Sequence, residues 1–93
     1  MKGMLNLYLW GNNIGDKGIE HLAPALSNMK ALDRLSLHSN NFGDIGIDHL
    51  ALVIEFMTAL NTLKLFNNTF TAVGANKITQ AWHQAGKTNG LYL

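Results

Sequence analysis

The chain has 93 residues, of which 47% are apolar and 14% charged, so it is one small, apolar-rich domain. Its formal net charge of +1 offers no basic surface for nucleic acid or an anionic membrane, and we expect neither as a partner. The absence of cysteine excludes disulfide bonds and zinc–thiolate sites. No apolar run follows Met1–Met4, so no signal peptide is visible and no stretch is long enough to span a membrane. This favours the cytoplasm and leaves secretion as an effector open.

The sequence repeats with a period of 28 residues. Residues 4–31 and 32–59 are identical at 13 of 28 aligned positions, while residues 60–87 form a looser third copy. Residues 88–93 fall in register as the start of a fourth copy. We therefore predict a single domain over 1–93 made of three repeats and a partial fourth.

Each repeat opens with a predicted short strand in which two leucines alternate with other residues, as at Leu35 and Leu37. The leucines should face the core. A turn follows, with Asn12, Asn40 and Asn68 at equivalent positions. If these amides are buried, they must hydrogen-bond to neighbouring backbone groups, and we predict that they form a ladder through the turns.

A helix is predicted after each turn, because apolar residues in 47–54 and its equivalents recur at helical spacing. Asp16 and Asp44 lie where an N-cap is needed, and Thr71 takes that role in the third copy. Gly46 and its equivalents should let the helix approach the strand closely. Strand–turn–helix units joined in series give parallel strands, and units that cannot bury their own apolar face must stack into a solenoid.

The motif Leu32-x-x-Leu35-x-Leu37-x-x-Asn40-x-Phe42 resembles the strand signature of the leucine-rich repeat. The 28-residue length and the following G-D-x-G-I-x-x-L-A are similar to the ribonuclease-inhibitor-like subclass. The resemblance implies an α/β right-handed solenoid, with a short parallel sheet on the concave side and helices on the convex side. It also implies binding of a protein partner through the concave face, but the repeat does not identify that partner.

Strand residues that do not face the core should form rows across the concave face. One row holds the residue between the two leucines, a second the residue before the first leucine, and a third the residue after the second leucine. The third row places Trp10, His38 and Phe66 side by side, and exposed aromatic residues near an arginine are typical of binding hot spots. The alternative is that the rings only stabilise adjacent strands. The predicted partner-binding residues are Tyr8, Trp10, Arg34, Ser36, His38, Lys64, Phe66 and Tyr92.

Catalysis and metal binding are not expected. Ser36 and His38 lie two residues apart on one strand, roughly 6.5–7 Å, which is too far for a nucleophile–base hydrogen bond. His21 and His49 occupy equivalent helix positions, but the row continues with the cation Lys77 and lacks further ligands. We therefore predict no enzyme, no cofactor and no metal site.

The sequence thus predicts a non-enzymatic interaction module. The alternative is a structural or terminal fragment of a longer solenoid, such as a bacterial effector or regulator, with no specific binding of its own. Both ends would expose core-type residues and an unpaired strand edge: Met4, Leu7 and Leu9 at one end, Leu91 and Leu93 at the other. Uncapped solenoid ends associate, so a homo-oligomer is expected as well.

Overall fold

The computed structural model describes residues 5–93, so Met4, which was expected in the first coil, and the rest of Met1–Met4 lie outside the described residues. Strands and helices alternate along the chain. They are β1 (Asn6–Tyr8), α1 (Gly15–Ser27), β2 (Arg34–Ser36), α2 (Asp44–Val53), a 3-10 turn (Ile54–Phe56), β3 (Thr62–Lys64), α3 (Ala72–Gln84) and β4 (Leu91–Tyr92).

The four strands form one parallel sheet in the order β1-β2-β3-β4. Leu7 pairs with Leu35, Leu35 with Leu63, and Leu63 with Leu91, so paired residues are 28 positions apart (35 − 7). The predicted α/β architecture with parallel strands is therefore confirmed over the described residues.

The core lies between the sheet and the helices. Leu35 and Leu63 from the strands and Ile47, Leu50 and Ile78 from the helices are all 0% exposed and belong to one apolar cluster. Each such side chain stabilises the fold by about 1.5–3 kcal/mol relative to its exposed state. Because alternate strand residues point to opposite faces, burial of the leucines turns their neighbours away from the helices.

The two ends of this core differ. At the first coil, Leu5 is exposed and Leu7 and Leu9 are only partly buried. At the other end, Trp82 is 0% exposed, and its indole N–H donates to the carbonyl of Asn89 at 2.9 Å. Trp82 replaces the smaller Leu26 of the first repeat, so a large ring fills the last coil.

The turn asparagines connect successive coils. Asn40 is 0% exposed, and its Oδ1 accepts from the backbone N–H of Asn12 at 2.8 Å. The Oδ1 of Asn68 accepts in the same way from Asn40 N–H, at 2.7 Å. Each Nδ2 also donates to the carbonyl of the residue two positions earlier, which is Trp10, His38 or Phe66. The asparagines therefore fix the backbone at the carboxyl ends of the strands.

The prediction that Asp16 and Asp44 cap their own helices is wrong. Each carboxylate instead accepts hydrogen bonds from the first turn of the next helix. Asp16 Oδ1 accepts from the N–H groups of Gly43 (2.7 Å) and Gly46 (2.9 Å). Because these donors lack partners within their own helix, an acceptor from the preceding coil satisfies them.

Asp44 repeats the arrangement one coil later. Its Oδ1 accepts from Thr71 N–H at 2.8 Å and Gly74 N–H at 3.1 Å, and its Oδ2 accepts from the Thr71 hydroxyl at 2.6 Å. Thr71 is the N-cap of α3 as predicted, and its hydroxyl accepts from Val73 N–H. Each aspartate therefore caps the following helix and in this way joins it to the helix that carries the aspartate.

The glycines of the first helical turn make room for these carboxylates. A Cβ on Gly46 would lie 2.9 Å from Asp16 Oδ1 and 2.9 Å from the Cβ of Phe42. A Cβ on Gly74 would collide with Asp44 Oδ1. The expected close approach therefore exists, but it is to the preceding coil's aspartate and the turn aromatic rather than to the strand.

Candidate binding face

The face of the sheet opposite the leucines carries most of the predicted site residues. Tyr8 and Tyr92 stand on the two edge strands and are 57% and 51% exposed. Between them lie Arg34, which is exposed, and Lys64, which is half-buried. Ser36 pairs with Lys64 in the sheet and is only 4% exposed, so little of its surface is open to a partner. The larger side chains on neighbouring strands explain its burial.

Three aromatic rings stack at the carboxyl ends of the first three strands. The Trp10 and His38 rings are 5.6 Å apart between centroids and 8° from parallel. The His38 and Phe66 rings are 4.4 Å apart and 17° from parallel. Trp10 is 59% and Phe66 39% exposed, so the outer two rings leave much of their apolar surface in solvent. We call these three residues the ring ladder.

His38 is the middle rung, and its surroundings favour the neutral imidazole. Burial, followed by the charge of Lys64, lowers the pKa of His38 below its ordinary value. Its Nδ1 is buried and has no hydrogen-bond partner among residues 5–93. The His38 ring therefore contributes mainly stacking area at near-neutral pH.

A shallow cavity lies beside the ring ladder. Its volume is about 270 Å³, and it is lined by Tyr8, Arg34, Ser36, Thr62, Lys64 and Tyr92. Thr62 was not among the predicted binding residues. Its position in the sequence could have indicated it, because Thr62 precedes the first leucine of its repeat, as the predicted binding residue Arg34 does. We call this cavity the sheet-face notch.

The helical side also exposes apolar side chains, at Ile45, Leu52, Phe56 and Val73. His21 is exposed and His49 half-buried, and Lys77, which follows them in the same row, forms an ion pair with Asp48 at 2.8 Å. Within residues 5–93, no three His, Asp or Glu side chains are grouped so that they would hold a metal ion. In the same range, no helix has the length and apolar character needed to cross a bilayer.

The chain resembles known proteins both in sequence pattern and in structure. A family model described as "Leucine Rich repeat" matches residues 5–23. A solved structure titled "Leiomodin-1 Actin-Binding Site 2 (ABS2)" superposes with a TM-score of 0.82 at 17% sequence identity, covering 92% of this chain. The chain spans about half of that structure's length, since the match covers 50% of it. No curated protein matches the sequence. At this identity the structural likeness shows the fold alone, and together the two findings support a leucine-rich-repeat protein.

Proposed function

We propose that the chain is a non-enzymatic protein–protein interaction module that binds its partner through the sheet face bearing the ring ladder and the notch. In this proposal the chain is a right-handed solenoid of the ribonuclease-inhibitor-like subclass. Its repeats are 4–31, 32–59 and 60–87, followed by a partial fourth at 88–93, and the sheet lies on the concave side.

The observation that carries the proposal is the exposure of the ring ladder. Trp10 and Phe66 keep 59% and 39% of their surface in solvent although both are apolar aromatics. Aromatic residues and arginine are enriched at protein interfaces and dominate their energetics. Tyr8 and Arg34 lie on the same face, so large side chains of both kinds are available to one partner.

The backbone beneath the ring ladder is held in place before any partner arrives. The asparagine side chains donate to the carbonyls of Trp10, His38 and Phe66. Backbone bonds from Gly11 to His38 and from Ser39 to Phe66 join the same positions across strands. A pre-organised surface loses less conformational entropy on binding, which favours affinity.

The similar structure's title names an actin-binding site, and actin is therefore the first defined protein to test against this face. The second candidate is that the chain is a fragment of a longer solenoid with no specific binding of its own. The match covers only 50% of the similar structure, as a fragment of a longer solenoid would.

The test is capture of partners on the immobilised chain, from a lysate and from purified actin. We expect Trp10→Ala and Phe66→Ala to abolish capture while circular dichroism and melting stay nearly unchanged. The double variant His21→Ala and His49→Ala, on the helices, is the matched control and should retain capture. Loss in the helix variant with retention in the aromatic variants would refute the proposed face.

A further inference from the structure

Charge is divided unequally between the two sides of the molecule. Five of the six acidic residues lie on or at the start of helical segments: Asp16, Glu20, Asp44, Asp48 and Glu55. The sixth, Asp33, precedes β2, and its carboxylate accepts a hydrogen bond from Asn61 at 2.8 Å. No acidic side chain lines the sheet-face notch, whereas both Arg34 and Lys64 do. The notch is therefore positive although the whole chain is nearly neutral.

Arg34 and Lys64 form no ion pair within the part of the chain that the structure describes. The ion pairs within residues 5–93 are Lys17–Glu20 and Lys77–Asp48, and neither includes Arg34 or Lys64. The positive field is felt nearby, since Lys64 contributes to the lowered pKa of His38. An anion entering the notch would meet both charges without displacing an internal carboxylate.

The geometry suits one carboxylate. Arg34 pairs with Thr62, and Lys64 pairs with Ser36. The two cations therefore lie on adjacent strands, offset by two residues along the strand direction. Their Cα atoms are therefore roughly 8 Å apart, and both long side chains can reach a common point between them. Arginine binds a carboxylate through two parallel hydrogen bonds, and lysine adds a point charge.

Resting on the proposed function, we infer that the partner presents an acidic segment to this face. An aspartate or glutamate side chain of the partner enters the notch between Arg34 and Lys64, and neighbouring apolar residues of the same segment cover the ring ladder. Tyr8 and Tyr92 flank the segment, and Thr62 completes the polar lining.

A protein carboxylate fits better than a nucleic-acid backbone. The chain's net charge is +1, and the notch supplies only two cations. Nucleic-acid binding depends on neutralising a series of phosphates with several lysines and arginines. A single acidic side chain of a protein partner requires only local charge complementarity, which the two cations beside the exposed aromatic rings supply.

The experiment uses a random peptide library displayed on phage and selected on the full chain. Selections run in parallel on the parent, on Arg34→Glu with Lys64→Glu, and on the charge-matched control Lys17→Glu with Lys30→Glu outside this face. We expect Asp and Glu to be enriched by the parent and the control, and Lys and Arg by the sheet-face variant. Circular dichroism verifies each fold, and Arg34→Gln with Lys64→Gln replaces the reversed pair if that pair unfolds.

Synthetic copies of the enriched peptide then separate the inference from the proposed function. Replacing its acidic residues by their amides should weaken binding to the parent about tenfold, and Trp10→Ala should also reduce binding. Peptides that need Trp10 but show no acidic enrichment would overturn the inference and leave the proposed function standing. Peptides indifferent to Trp10, Arg34 and Lys64, or no enriched peptides at all, would count against both.

Discussion

Asn40 is the fully buried turn asparagine, and its side chain bonds to five backbone groups, as the side chain of Asn68 does one coil later. The Oδ1 of Asn40 accepts from the N–H groups of Asn12 and Ile14, and its Nδ2 donates to the carbonyls of Leu9, Leu37 and His38. Removing this amide would leave buried donors and acceptors without partners, and each unsatisfied group costs more than a hydrogen bond contributes.

We expect Asn40→Ala to lower the free energy of unfolding by about 1–3 kcal/mol, measured by urea denaturation. Asn76→Ala is the matched control, because Asn76 is exposed on α3 and makes no such connection. Equal stability of the two variants would show that the buried amide does not hold the coils together.

At the residue scale, the sequence predicted which side chains share a face but not how exposed each one is. The alternation of leucines is enough to place Trp10, His38 and Phe66 in one row, because strand periodicity is strict. Exposure depends on the sizes of the neighbours. Ser36 is short and lies on an internal strand between Tyr8 and Lys64, so it is 4% exposed, whereas Tyr8 on the edge strand is 57% exposed.

At the scale of elements, the helices are joined by carboxylates from the preceding coil, and this linkage should respond to pH. The hydrogen bonds from the Thr71 hydroxyl and the Thr71 N–H lower the pKa of Asp44. Desolvation opposes them in part, and the bond from Gly74 N–H lowers the pKa by a smaller amount. Because the folded-state pKa is below the unfolded value, the stabilisation is present above the unfolded value. It is lost as the pH falls through the folded value.

We expect the parent to lose stability below about pH 4, and Asp44→Asn to lose less over the same interval. At neutral pH the variant should melt below the parent, because a neutral amide oxygen accepts the Thr71 and Gly74 N–H bonds less strongly than a carboxylate does. Asp48→Asn is the control, since Asp48 makes only a solvent-exposed pair with Lys77. Parallel pH profiles for the parent and Asp44→Asn would show that this carboxylate does not cap α3.

The sequence predicted the helices but assigned the capping aspartates to the wrong ones. Asp16 stands beside its own helix in the chain, whereas its donors, Gly43 and Gly46, are 27 and 30 residues later. The capping rule considers only N–H groups two or three residues after the cap, so it does not predict a bond to the next helix. The tightening of α2 into a 3-10 turn at Ile54–Phe56 was also not predicted, because the apolar spacing continues through it.

At the scale of the whole molecule, β1 and β4 are edge strands, and nothing in residues 5–93 pairs with their outer sides. Leu5 (57%) and Leu93 (45%) are exposed near these edges. Unpaired edges and exposed apolar ends promote association between copies. We expect the 93-residue polypeptide to self-associate as its concentration rises, which light scattering over a concentration series measures. A monomer at high micromolar concentration with a sharp melt would contradict this.

The recurrence of a strand and a helix along the sequence is what made the α/β architecture with a parallel sheet predictable. The closure of the last coil was not predictable in the same way. Trp82 departs from the Leu26 and Ile54 of the earlier copies, and only the structure shows that its ring is buried and bonded to Asn89.

The measurement that tests the proposed binding face most directly is an amide chemical-shift map of the labelled chain, with and without its captured partner or actin. We predict that the perturbed amides cluster at Tyr8, Trp10, Arg34, His38 and Phe66, with the exposed positions of α1, α2 and α3 unchanged. Perturbations confined to the helices, with the ring ladder unaffected by a bound partner, would contradict the assignment of binding to the sheet face.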